Sequence, residues 1–94
     1  METPDTISPT ELKRLIITLK DHSPNARIRF RLIGSMWEKN FLEIVHATTE
    51  NAVIVQDRKS DQMKFISLGN VVEFEIEQRF QNFKPLYHYK VARN

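Results

Sequence analysis

Arg27-Ile28-Arg29-Phe30-Arg31-Leu32 and, about forty-five residues later, Val72-Glu73-Phe74-Glu75-Ile76-Glu77 carry complementary patterns: basic alternating with apolar, then apolar alternating with acidic. Side chains alternate faces along a strand, so three arginines share one face of the first segment and three glutamates one face of the second. Pairing the two segments sets the charges against each other across the ladder and lines one core with Ile28, Phe30, Val72, Phe74 and Ile76. An isolated arginine stripe would suggest phosphate binding. One faced by three carboxylates reads first as an intramolecular ion-pair ladder.

Working outward from this pair, the other elements follow by period. Ser8-Pro9-Thr10-Glu11 combines a capping residue, a proline at the first helical position and an acid three residues after the cap. Leu12, Leu15, Ile16 and Leu19 continue at the spacing of one helical face, which predicts a helix ending near His22, before Ser23-Pro24-Asn25. From Arg27 the period becomes two. Strands are expected at about 26–33, 41–48, 52–57, 62–68 and 71–77, divided by Gly34-Ser35, Thr49-Glu50-Asn51, Asp57 to Asp61 and Gly69-Asn70. An open sheet of five short strands leaves edges and an apolar face exposed. The expected fold is therefore mainly β with one N-terminal helix: a small, strongly bent five-stranded antiparallel barrel, closed where the last strand meets the first. Residues 1–7 are expected to be a disordered N-terminus, 8–78 the helix and barrel, and 79–94 a basic, aromatic C-terminal strand or arm.

The chain has 94 residues and a mass of 11.1 kDa, which bounds it to one domain with a modest core, and self-association is a natural supplement at this size. Its formal net charge is only +2, and 40% of its residues are hydrophobic, a balance that does not favour disorder. With no cysteine, disulfides, thiol catalysis and cysteine-based zinc sites are excluded, and a reducing cytoplasm is the expected location. Met1-Glu2-Thr3-Pro4-Asp5 lacks the basic and apolar regions of a secretory signal, and no apolar run reaches the roughly 18–20 residues of a membrane span, so no membrane association is expected.

Catalytic chemistry finds no foothold. His22, His46 and His88 stand apart with no metal-ligand spacing, so no metal or cofactor is expected. Gly34 and Gly69 are the only glycines, which excludes a glycine-rich phosphate loop, and no nucleophile elbow surrounds a serine. A non-enzymatic binding role is the expectation.

The order of helix, strand, turn, bent strand, hairpin, short turn and strand over residues 8–77 resembles the Sm-like fold, and in particular the bacterial Hfq-type RNA chaperones. The local likeness is best over Ile54-Val55-Gln56-Asp57-Arg58-Lys59-Ser60-Asp61-Gln62-Met63 and at Val71-Val72. The resemblance implies a ring-forming homo-oligomer that binds single-stranded RNA. Two departures stand against it: the family's aromatic-Lys-His-small signature is replaced by Phe65-Ile66-Ser67-Leu68, and its second-strand glycine is absent where Glu38-Lys39-Asn40 follows Met36-Trp37. No binding residue is therefore carried over by motif.

The C-terminal segment has its own chemistry. From Arg79 to Asn94 there are four basic residues, no acid and four of the nine aromatics, Phe80, Phe83, Tyr87 and Tyr89. Cations for a phosphate backbone interleaved with rings for stacking suit single-stranded nucleic acid. The candidate binding residues are Arg79, Lys84, Tyr87, Tyr89 and Lys90, with Arg29 from the first strand. Alternatively, Tyr87, Tyr89 and Val91 alternate with His88 and Lys90 as in a sixth strand, with the tyrosines packed on the barrel or a neighbouring protomer. Trp37, Phe80 and Phe83 are candidate interface residues; alternatively, Trp37 caps the open end of the barrel or packs on the N-terminal helix. Two functions are thus expected: a single-strand RNA binder acting as a homo-oligomer, or an SH3-like module for a protein partner with no nucleic-acid role.

Overall fold

The computed structural model describes residues 5–47, 51–78 and 85–92. Its elements are β1 (Asp5–Ile7), α1 (Pro9–His22), β2 (Ala26–Leu32), β3 (Glu43–Ala47), β4 (Ala52–Asp57), β5 (Gln62–Ser67), a 3-10 turn (Leu68–Asn70), β6 (Val71–Gln78) and β7 (Leu86–Val91). Helix α1 starts where its capping box predicts. The Glu11 amide donates to Ser8 Oγ at 3.1 Å and the Ser8 amide to Glu11 Oε1 at 3.3 Å, which satisfies two amides at the helix start. At the other end the Ser23 amide donates to the Leu19 carbonyl at 2.9 Å. Leu12, Ile16 and Leu19 are buried on the face turned toward β3 and the 3-10 turn.

Among the described residues seven strands form two sheets, ordered β1-β7-β6-β2 and β3-β4-β5. β2 and β6 pair antiparallel in the register the charges require: Arg27 opposite Glu77, Arg29 opposite Glu75 and Arg31 opposite Glu73. Arg29 is ion-paired with Glu75, and Arg31 with Glu73. Behind this face, Ile28, Phe30, Phe74 and Ile76 join the buried core with Leu42, Val53 and Val55. Burying each such side chain contributes about 1.5–3 kcal/mol, which makes this apolar layer the main support of the fold. At the end of the ladder a register shift after Arg31 sets Leu32 opposite Val71. As a result Val71 is fully buried, and Val72, expected in the core, is only half-buried.

The sheets differ from the expected five-stranded barrel. Between β2 and β3 only isolated bridges form, Ile28 with Leu42 and Arg31 with Trp37, because the chain leaves the ladder at the turn around Gly34. That turn places the Ser35 amide on the Leu32 carbonyl at 3.0 Å with Gly34 at φ +71°, a conformation that glycine adopts without a Cβ clash. Among the described residues the hydrogen-bonded circuit does not close into a barrel. β6 instead meets β7 on its second edge, so the C-terminal segment contains a true strand. Asp5–Ile7, placed by the sequence reading in a disordered N-terminus, forms β1 parallel to β7, with the Ala92 amide donating to the Ile7 carbonyl at 2.8 Å. Ile7 packs against the core, which explains why this short strand is held.

Candidate nucleic-acid interface

The sequence-predicted residues that fall within the described structure do not converge on one surface. In β7, Tyr89 lies opposite Phe74 and Tyr87 opposite Ile76, so both tyrosines are on the core-facing side. Tyr89 is half-buried, its ring stacked on Phe74 with centroids 5.1 Å apart. Tyr87 is 46% exposed and is the ring of this pair that solvent reaches more freely. Lys90 lies opposite Glu73 and points to the other face of the sheet. Strand alternation thus separates the tyrosines from Lys90. Arg79, Phe80, Phe83 and Lys84 lie outside the described residues.

The charged face of the first sheet is largely engaged with itself. Arg29 bonds Glu75, and its guanidinium lies over the rings of Trp37 at 5.3 Å and Phe41 at 5.0 Å. Trp37 is half-buried and meets His88 edge-on, with centroids 5.7 Å apart, so its ring packs across this face. Glu73 accepts from Arg31 and lies 2.7 Å from His88 Nε2. Burial raises the pKa of the Glu73 carboxyl, but the hydrogen bonds from Arg31 and His88 outweigh it and hold the group below its ordinary value.

A different group of residues forms an open cleft of about 350 Å³ lined by Arg27, Lys39, Asn40, Phe41, Glu43, Asp57, Arg58 and Lys59. Its walls come from two loops, one leading into β3 and one joining β4 to β5. Asp57, at the end of β4, ties them together: its carboxylate accepts from the Lys59 amide at 2.9 Å and from Asn40 Nδ2 at 3.1 Å. These two bonds, the backbone one first, hold its pKa down. Arg58 Nε donates to Glu43 at 2.5 Å, and that bond lowers the pKa of Glu43 in turn. Arg27 is buried, with Nη1 donating to the carbonyls of Pro24 and Ala26, each at 3.0 Å. Lys39 and Lys59 are exposed and ion-pair with none of the described residues.

Of the cations here, Arg58 is committed to Glu43 and Arg27 is buried opposite Glu77, while Asp57 holds the loops, so the exposed charge left over is that of Lys39 and Lys59. The excess is positive, beside a half-buried aromatic ring and a side-chain amide. Such a site offers charge to a phosphate and a hydrogen-bonding edge to a base. In sequence, the Asp57 to Asp61 loop carries both charge signs and reads as a solvated turn; nothing there announces that it meets Lys39 and Phe41. Among the described residues, no group of three potential metal ligands occurs and no helix is long and apolar enough to cross a membrane. No family model, curated protein or solved structure matches this chain.

Proposed function

We propose that this protein is a non-enzymatic small-barrel protein that binds single-stranded RNA as a homo-oligomer, with β2 to β6 as a strongly bent Sm-like unit. The observation that carries the reading is the cleft in which Lys39, Arg58 and Lys59 gather around Phe41 and Asn40. The pairing of β2 with β6, the first and last of the five expected barrel strands, and the Ile28–Leu42 bridge between the sheets support the Sm-like part. In this reading the phosphate backbone runs past Lys39 and Lys59. Asn40 meets a base edge.

Fluorescence anisotropy of labelled oligo(U) and oligo(A) across a salt series tests this. Binding that weakens steeply with salt, and weakens further in Lys39→Ala and Lys59→Ala variants of unchanged fold, is the expected result. Absence of salt-dependent binding to either oligonucleotide overturns it.

An SH3-like protein-interaction module is the second reading. It is favoured by a separate observation, the exposed Met63 and Phe65 on β5.

A further inference from the structure

We propose that β5 is a self-complementary edge through which two copies of this chain pair antiparallel, forming a symmetric dimer about Phe65. This specifies the homo-oligomeric part of the reading above and is independent of its RNA-binding part.

Among the described residues, the second edge of β5 has no strand partner. β4 lies between β3 and β5, β6 between β2 and β7, and β7 between β6 and β1. Among the described residues the exposed edge of β1 is three residues long. The other outer strands, β2 and β3, turn toward each other through the Ile28–Leu42 bridge. Among the described residues β5 is therefore the long edge without such a bridge, six residues with Lys64 as its one charge. Natural proteins usually blunt such an edge with charge, proline or a bulge, and β5 has neither proline nor a register shift against β4.

The hydrogen-bond phase decides which residues face outward. The Leu68 amide donates to the Asn51 carbonyl at 3.0 Å, in line with the β4–β5 register. Residues in a hydrogen-bonded antiparallel pair exchange bonds, and such pairs alternate along the ladder. Ile66, Lys64 and Gln62 therefore spend their backbone groups on β4, whereas Met63, Phe65 and Ser67 direct theirs away from it. The same residues present their side chains on the outer face, where Phe65 is 65% and Met63 61% exposed. Open backbone groups and exposed apolar side chains thus coincide on alternate residues of one edge.

A two-fold axis preserves the face and reverses the strand, as an isologous contact requires. Centred on Lys64, it would set two ammonium groups opposite each other, which is destabilising. Centred on Phe65, it pairs Phe65 with Phe65, Met63 with Ser67 and Lys64 with Ile66, and it uses every outward backbone group from Met63 to Ser67. Lys64 is anchored within its own copy by Glu38. The two three-stranded sheets then become one of six strands, with an aromatic pair across the axis.

Light scattering behind a sizing column, on RNA-free protein at on the order of 100 µM, tests the proposal, a concentration that populates a dimer with a dissociation constant of roughly 1 µM. The expected mass is twice 11.1 kDa, and Phe65→Lys is expected to run at the single-chain mass with an unchanged circular dichroism spectrum. If Phe65→Lys is misfolded, Phe65→Cys decides: the native chain has no cysteine, so oxidation should yield one cross-linked dimer, and Lys39→Cys should yield none. A wild-type monomer, a mass beyond two chains, a dimer that survives Phe65→Lys, or no cross-link through Phe65→Cys overturns the proposal. A dimer that binds no oligonucleotide removes the proposed function and leaves this interface standing. A monomer that binds RNA does the reverse.

Discussion

Arg29 lies directly opposite Glu75 in the β2–β6 ladder, and the two side chains form an ion pair across it. Glu75 is buried, and the Arg29 guanidinium is covered by Trp37 and Phe41. The pair therefore sits between a solvated surface bridge, worth up to about 1 kcal/mol, and a fully buried one, whose disruption costs about 3–5 kcal/mol. Arg29→Glu and Glu75→Arg should each destabilise by about 1–3 kcal/mol. The double variant should recover about 1 kcal/mol relative to the sum of the singles. Urea denaturation of the four proteins measures the cycle; a sum with no recovery would mean that the pair is not coupled.

Acid should weaken the fold through the same sheet. The native pKa of Glu73 lies below its ordinary value of 4.5, so the carboxylate contributes stability that is fully present above about pH 4.5. That contribution is lost as pH falls from there through the native pKa. Glu43, depressed by its bond to Arg58, acts in the same direction. Melting temperatures should therefore fall below pH 4.5, and Glu73→Gln should show a shallower fall from a lower starting point. An identical acid slope in the variant would contradict this assignment.

Phe74 is fully buried, stacked on Tyr89 and opposite Phe30 in the ladder. Phe74→Ala should cost about 3–5 kcal/mol, since the cavity lies where both sheets meet the core. That is a large share of the total stability of a small domain. Chemical denaturation should show the loss, and a cost below about 1 kcal/mol would place the ring outside the core.

The capping box offers a local counterpart. Ser8→Ala removes the acceptor for the Glu11 amide and should destabilise by about 1 kcal/mol. Ser8→Asp should retain most of the stability, because its carboxylate caps the same amide. Equal melting temperatures for Ser8→Ala and the wild type would show that the cap carries no weight.

In the proposed RNA site, Lys39→Ala and Lys59→Ala should each flatten the slope of log K against log salt by about 0.7 if each lysine neutralises one phosphate of a single strand. Tyr89→Ala should instead act on stability, because its ring is stacked on Phe74. Anisotropy titrations paired with thermal melts separate the two effects. A Lys59→Ala variant with an unchanged salt slope would take the phosphate path away from this cleft.

The helix and the strands from Ala26 to Gln78 were legible because they rest on local signals. Ser8 and Glu11 mark the helix start, and the change of period at Arg27 marks the first long strand. The arginine and glutamate alternation identified both the partner and the register of β2, since a one-residue slip would set arginines against the apolar side chains of β6. The pattern around Val72 was less decisive, because a bulge moves one residue out of step and leaves no mark in the composition.

The cleft was not legible for a different reason. Lys39, Asn40 and Phe41 meet Arg58 and Lys59 only because Asp57 binds both loops, a contact between segments that carry no shared pattern. Alternation in Leu86 to Val91 was visible, but which face turned inward depended on the register with β6, and that placed Tyr89 on Phe74. Period and capping act within a few residues, and they were enough to mark the helix, the strands from Ala26 to Gln78 and the ion-pair ladder. Which cations gather beside an aromatic ring, how Asp5–Ile7 and Leu86–Val91 join the first sheet and which strand edge stays open depend on pairings between distant segments, and these arise only in the folded chain.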